Sequence, residues 1–309
     1  MNNNNNDNKY YNLELKLKCK YHKDAISCST VLNDGRIAIC SHDKSIVIYN
    51  NKTFKPDLII FEHDDRVNYI LQLISGLLAS CSDDSTIKIY KIKNNKYEVL
   101  QILKYHDKDV MKIIELTNQK LVSCSYDYTI IIYSKDINNK YEKDYLIKSK
   151  ASCNCVIQTK ENEICYNEKD YDTICFYDLL EQKIKKKLSK VKVTGYNSFY
   201  MITKDLLLIT GCGVLSIINV NQYNLIRIIN APDSSYICVS CMLNKNIILT
   251  GDSTRKIKQW RIDGDNLILI SSKEEAHKNR IWALINLRDG HILSGSYDGE
   301  INLWQSYLN

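Results

Sequence analysis

A nine-residue string ending in an aromatic recurs along this chain. It reads SHDKSIVIY at 41–49, SDDSTIKIY at 82–90, SYDYTIIIY at 125–133 and SYDGEINLW at 296–304. Each copy keeps a serine, an aspartate two residues later, and an aliphatic–x–aliphatic–aromatic run. Weaker copies close at Tyr177, Ile218 and Trp260, so the seven closing positions fall 41 to 44 residues apart. A period of this length, held over the whole chain, signals one supersecondary unit that buries its apolar face only against the next copy.

A second marker keeps the same beat. Counting back 27 residues from Tyr49, Tyr90, Tyr133 and Trp304 reaches His22, His63, His106 and His277, four of the six histidines. The same count from the weaker copies reaches Lys150, Val191 and Asp233, and there the repeat aspartate is replaced by Tyr171, Cys212 and Thr254. Histidine and aspartate are kept or lost together, as a bonded pair requires. Midway through the units stand turn formers: Asp34-Gly35, Ser75-Gly76, Asn118-Gln119, Asn244-Lys245 and Arg288-Asp289-Gly290. Aliphatic alternation flanks them, and no long helical pattern intervenes. Each unit therefore reads as strand, turn, strand, turn, strand, then a variable fourth strand.

The last unit ends at Trp304, five residues from the end, too few for its fourth strand. The run Leu13–Cys19 alternates apolar and charged residues just before His22, where a fourth strand should lie. It is expected to pair with the strand ending at Trp304 and close a ring, which removes two sheet edges. The fold class is thus all-β: a seven-bladed propeller of four-stranded antiparallel blades closed by an N-terminal strand. It occupies residues 10–309, after an Asn-rich tail at 1–9 expected to be disordered.

These features resemble the WD-repeat family of β-propellers, from about Leu13 to Trp304. Four repeats match specifically and three by spacing and hydrophobicity. The closing Trp-Asp dipeptide is intact nowhere; Tyr177-Asp178 comes nearest. The resemblance implies a buried hydrogen-bonded set in each strong blade: His22 with Asp43, His63 with Asp84, His106 with Asp127, and His277 with Asp298. In the second of these the bridging hydroxyl is Ser80 or Ser82 and the aromatic is Tyr90. It also implies partner binding on the face that carries the histidine-side loops and the Asp-bearing turns. The candidate contact residues there are Trp282, Arg280 and Tyr297 in the last blade, extended by Tyr126, Arg66, Met111 and His42.

Other classes find little support. Phosphate-loop, HExxH and GxSxG motifs are absent from the sequence, and the repeat accounts for the paired His and Asp residues, so no catalysis and no cofactor are expected. Twelve cysteines include Cys153-x-Cys155 and Cys238-x-x-Cys241, but neither has a second pair at zinc-site spacing. Alternation would send both members of the CxC to one face. Cys40, Cys81 and Cys124 share one repeat register and read as small packing residues, so no metal is expected. The net charge of +6 is mild. Its densest run, residues 183–192, reads as a lysine-protected edge strand, with a nucleic-acid patch as the less favoured reading.

No run reaches 18 apolar residues, and the N-terminal tract has no apolar signal core, so no membrane insertion is expected and the location is cytoplasmic or nuclear. The expected function is a non-catalytic scaffold that binds a peptide or protein on the propeller face, as a monomeric domain within a larger complex. The alternative is a substrate receptor of a ubiquitin ligase, though the adapter element expected after a blade is not matched at Arg261, Ile262 and Asp263.

Overall fold

The computed structural model describes residues 11–193, 198–231, 233, 235–287 and 289–308. The tail at 1–9 and the turn residue at 288 lie outside them. The described residues form seven four-stranded antiparallel sheets. Blade 1 comprises Ile26–Val31, Ile37–Ser41, Ile46–Tyr49 and Pro56–Ile60; blade 2, Val67–Gln72, Leu78–Ser82, Ile87–Lys93 and Lys96–Leu103. Blade 3 comprises Val110–Glu115, Leu121–Ser125, Thr129–Lys135 and Tyr141–Lys148; blade 4, Val156–Lys160, Glu163–Glu168, Thr173–Asp178 and Lys183–Leu188. Blade 5 comprises Phe199–Met201, Leu206–Thr210, Val214–Asn219 and Asn224–Asn230; blade 6, Ile237–Asn244, Ile247–Asp252, Ile257–Asp263 and Asn266–Lys273. Blade 7 takes Ile281–Asn286, His291–Ser296 and Glu300–Leu308 from one end of the chain and Tyr11–Lys20 from the other.

The third strands show why these sequences need a ring. Successive side chains of a strand point to opposite faces. In blade 1, Ile46 and Ile48 pack into the core shared with blade 2, while Val47 and Tyr49 pack into the core shared with blade 7. In blade 3, Ile130 and Ile132 face blade 4, and Ile131 and Tyr133 face blade 2. A strand apolar on both faces has no solvent side, so each blade needs a neighbour on both sides. Seven apolar clusters result among the described residues, one at each blade interface. Each fully buried isoleucine contributes about 1.5–3 kcal/mol.

Two glycines show how tightly the blades approach. A Cβ on Gly251 would lie 2.6 Å from Ile281 Cγ2, and one on Gly295 would lie 2.6 Å from Ile26 Cγ2. The same register in blades 1 to 3 holds Cys40, Cys81 and Cys124, all fully buried, so small side chains fill this contact in five of the seven blades. The CxC pair differs from its expected placement. Cys153 packs into the blade 3–4 core and Cys155 into the blade 4–5 core. Both precede the strand that begins at Val156, so strand alternation does not govern them.

The N-terminal strand closes blade 7 as expected, pairing antiparallel with Glu300–Leu308 and setting Leu15 opposite Trp304. Its alternation is broken by a bulge between Leu15 and Leu17. An extra residue reverses which face the following side chains meet. Leu13 accordingly packs into the blade 6–7 core, while Cys19 packs toward blade 1, and Leu15 and Leu17 stay partly exposed. The strand is further latched to blade 6, where Tyr11 N–H donates to Gln259 Oε1 at 3.0 Å and Gln259 Nε2 donates to the Tyr11 carbonyl.

Candidate functional site

The loops of the propeller face are held by the repeated polar sets. In blade 3, His106 Nδ1 lies 2.7 Å from Asp127 Oδ2 and Nε2 lies 2.6 Å from Ser123 Oγ, which is 3.0 Å from the Tyr133 hydroxyl. Donation from Tyr133 to Ser123, from Ser123 to Nε2 and from Nδ1–H to Asp127 satisfies every atom. Blade 2 brings together the same four groups, His63, Asp84, Ser80 and Tyr90, with the Ser80 hydroxyl donating to the Tyr90 oxygen at 3.2 Å. The bridging hydroxyl is thus Ser80, while Ser82 donates to the Asp65 carbonyl and accepts from Asp84 N–H. Burial alone would raise the carboxyls of Asp84 and Asp127. Hydrogen bonds from His63 or His106, from the threonine two residues on, and from the N–H of Asp64 or Asp107 outweigh it and hold both well below the usual carboxylate range.

The other two sets are incomplete. In blade 1 the bridging serine is replaced by Ile39. His22 still meets Asp43 at 3.0 Å, but His22 Nε2 and the Tyr49 hydroxyl are both buried without a partner. In blade 7, Ser294 joins His277 Nε2 at 2.7 Å to Trp304 Nε1 at 2.8 Å. His277 Nδ1, however, stands 3.9 Å from Asp298, and burial pushes this histidine down to about 4. A direct prediction follows. His63→Ala strands Asp84 and Ser80 and is expected to cost about 3 kcal/mol, whereas His22→Ala, with one ring nitrogen already unpaired, is expected to cost about half as much. Paired chemical denaturation curves check this, and equal losses would refute the relay.

The weaker blades differ from one another. Blade 6 has no histidine in register, yet Asp252 and Lys258 form a buried pair at 2.9 Å. Asp252 sits two positions before the usual aspartate and accepts from the N–H groups of Thr254 and Lys256. In blade 4, Lys187 meets buried Glu168 at 2.7 Å. The lysine-rich strand Lys183–Leu188 is the outer strand of that blade. Lys183 and Lys185 pair with Glu181 and Asp178 at 2.9 and 2.6 Å, so much of its charge is matched locally.

One backbone bond recurs between the two loop positions of interest. The N–H before the repeat aspartate donates to the carbonyl seventeen residues earlier: His42 to Ala25, Asp83 to Arg66, Tyr126 to Asp109, and Tyr297 to Arg280, at 2.8 to 3.1 Å. Blade 6 has it too, from Ser253 to Tyr236 at 2.9 Å. This bond sets the two positions side by side in each blade.

In the last blade it assembles a cluster. The Trp282 and Tyr297 rings meet edge-on with centroids 5.0 Å apart, His42 of blade 1 lies 5.3 Å from Trp282, and the Arg280 guanidinium stands 5.8 Å from the Tyr297 ring. Burial, then the charge of Arg66, pushes His42 down to about 4, so it is neutral at pH 7. Trp282 is half-buried and hydrogen-bonds Cys238, while Tyr297 and Arg280 are exposed. Tyr236, 53% exposed, lies near enough to Arg280 to feel its charge. Sequence reasoning missed Tyr236 because it followed only the strong repeats; counting 24 back from Trp260, as Arg280 stands from Trp304, would have found it.

The remaining candidates fall outside the cluster. Tyr126 is held by Lys169, whose ammonium is 2.9 Å from its hydroxyl and 4.6 Å from its ring. Arg66 is exposed. Met111 is only 2% exposed and offers no surface. Among the described residues, His277, Asp298 and Glu300 bring three potential metal-ligand atoms within 4.8 Å of one another. Lys18 at 2.8 Å and Lys278 at 3.4 Å already supply Glu300 with positive charge. No helix among the described residues is long and apolar enough to cross a membrane.

The family model described as WD domain, G-beta repeat, matches residues 13–50, 56–91 and 270–305. No curated protein matches the chain. The matched segments span blade 1 with the closing strand, most of blade 2, and blade 7, where the histidine and aspartate markers are strong. Together with seven four-stranded blades around one ring, these matches fit a WD-repeat β-propeller, a fold that generally serves as a protein-interaction scaffold and is typically non-catalytic.

Proposed function

We propose that this propeller is a non-catalytic scaffold that captures a peptide segment or protein loop on the face bearing the His42–Trp282–Tyr297–Arg280 cluster. The observation that carries this reading is the cluster itself. Two aromatic rings and a histidine meet edge to face, with an exposed guanidinium beside them and a further exposed tyrosine within reach of its charge. Trp, Tyr and Arg are the residue types most enriched where truncation costs an interface most. The rings are positioned by the backbone bonds between the two loops, so little ordering remains to oppose binding.

Affinity capture with the full chain tests this, comparing wild type with Trp282→Ala/Tyr297→Ala/Tyr126→Ala. Loss of the captured partners is expected, with affinity for any partner reconstituted in purified form falling at least about 30-fold, since hot-spot truncations cost about 2 kcal/mol or more. The melting temperature should change little, because these side chains lie at the surface or half-buried. Capture of the same partners at undiminished affinity would remove this face from consideration.

A further inference from the structure

Lys112 lies on the first strand of blade 3 and is only 5% exposed. Its ammonium contacts the Cys155 thiol at 3.6 Å and lies 5.3 Å from the Tyr69 ring centre. Among the described residues no carboxylate lies within ion-pair distance of it. A thiol is a weak acceptor, and a lysine has three N–H groups to place. Burying an ammonium with so little compensation costs several kcal/mol. A protein that keeps such a group has a use for its charge, or a partner for it.

The surroundings supply room for a partner. Lys112 lines a cavity of about 430 Å³ bounded by first strands of blades 1, 2, 3, 5, 6 and 7. Its wall includes Tyr69, Tyr200 and Cys28, with Val239, Ala283 and Leu284 among the apolar positions. Ser240 and Asn286 join the wall, with the Ser240 hydroxyl and the Asn286 side-chain oxygen enclosed by protein atoms. Buried polar groups are almost always satisfied. A buried ammonium with a single thiol partner on the wall of a cavity of ligand size is a candidate anion site.

We propose that this cavity binds a small organic acid: a single carboxylate on an apolar or aromatic body. The carboxylate pairs with Lys112. One ammonium balances one negative charge. Among the described residues no guanidinium lines the cavity to form the bidentate contacts that favour a phosphate dianion. The body rests against the aromatic and aliphatic wall. The site is distinct from the loop-face cluster, so it stands or falls independently of the proposed scaffold role.

The test uses the purified full chain and four probes: benzoate, phenylacetate, 4-phenylbutyrate and decanoate. Thermal shift and calorimetry are read against 4-phenylbutanol as the uncharged counterpart, and against chloride and inorganic phosphate. At least one organic acid is expected to raise the melting temperature in a saturable way, while the alcohol does not. Lys112→Met is expected to weaken binding at least tenfold while leaving the unliganded melting temperature equal or higher, because it removes a buried charge. Should that variant fail to fold, Ser240→Leu, which fills the cavity from the opposite wall, is expected to abolish binding. The proposal is overturned if none of the four acids stabilises the wild type, if only chloride or phosphate does, or if the folded variants bind as well as the wild type.

Discussion

Deletion of residues 1–20 is expected to abolish the cooperative fold and leave aggregated protein. The strand Tyr11–Lys20 contributes nine backbone-paired positions to Glu300–Leu308. It also buries Leu13 against Trp304, Ile257 and Val239. Removing a buried leucine side chain alone costs about 2–5 kcal/mol, and the lost ladder bonds add about 1 kcal/mol each. The sum approaches the whole 5–15 kcal/mol stability of a typical domain. The deletion also exposes the edge of Glu300–Leu308, a template for pairing with another chain, and leaves Glu300 without its Lys18 partner. Size exclusion and thermal unfolding of the truncated chain check this. A monomeric truncation with an unchanged melting temperature would show that blade 7 does not need its fourth strand. Addition of a peptide of residues 11–20 is expected to restore part of the lost stability by strand addition.

The second large effect is expected at Lys258. Its ammonium and the Asp252 carboxylate are almost wholly buried at 2.9 Å. Lys258→Met keeps the volume but leaves Asp252 in the core without its cation, at a cost of about 3–5 kcal/mol. For a chain of this size that corresponds to a fall of about 5–8 °C in melting temperature. Asp252→Ala in the same background is expected to add little, because the uncompensated charge is then gone and the two changes are strongly coupled. Additive losses, or an unchanged Lys258→Met protein, would show that the pair does not hold blade 6.

The Lys258–Asp252 pair also changes how the weaker arc is understood. By the histidine and aspartate registers, blades 4 to 6 have lost the polar set and should form the softer half of the ring. Blade 6 has instead moved its carboxylate two positions earlier and drawn its cation from the third strand. Blade 4 pairs Glu168 with Lys187. Blade 5 is left as the blade with the shortest first strand and a buried, unpartnered Thr210 hydroxyl. A register count cannot see such exchanges, because it asks whether one residue type stands at one position. A buried pair needs only complementary groups at a fitting distance.

The same distinction runs through the candidate site. The seven closing positions and the four histidine–aspartate pairs are one-dimensional signals with a fixed period, and they specified seven blades, their order and the closing strand. Trp282, Tyr297 and Arg280 could be picked out because the period places them in one blade. His42 was chosen for its register, but its packing against Trp282 joins residues 240 positions apart in sequence across the closing interface. Tyr236 comes within reach of the Arg280 charge from a blade with no strong marker. Ser80 rather than Ser82, and the broken relay at Ile39, follow from which face of a strand meets the histidine.

What the sequence by itself determined is the architecture: a repeated four-strand unit, apolar on both faces, with an alternating N-terminal run in register to complete the last blade. That much follows from local periodicity and from the need to bury both faces of each blade. Tertiary structure alone decided the bulge that shares the closing strand between two cores, the Lys258–Asp252 pair, the aromatic cluster across blades 7 and 1, and the buried ammonium of Lys112. Each of these depends on side chains from different blades meeting at particular distances. Such meetings are set by strand parity and ring closure, which no single repeat encodes.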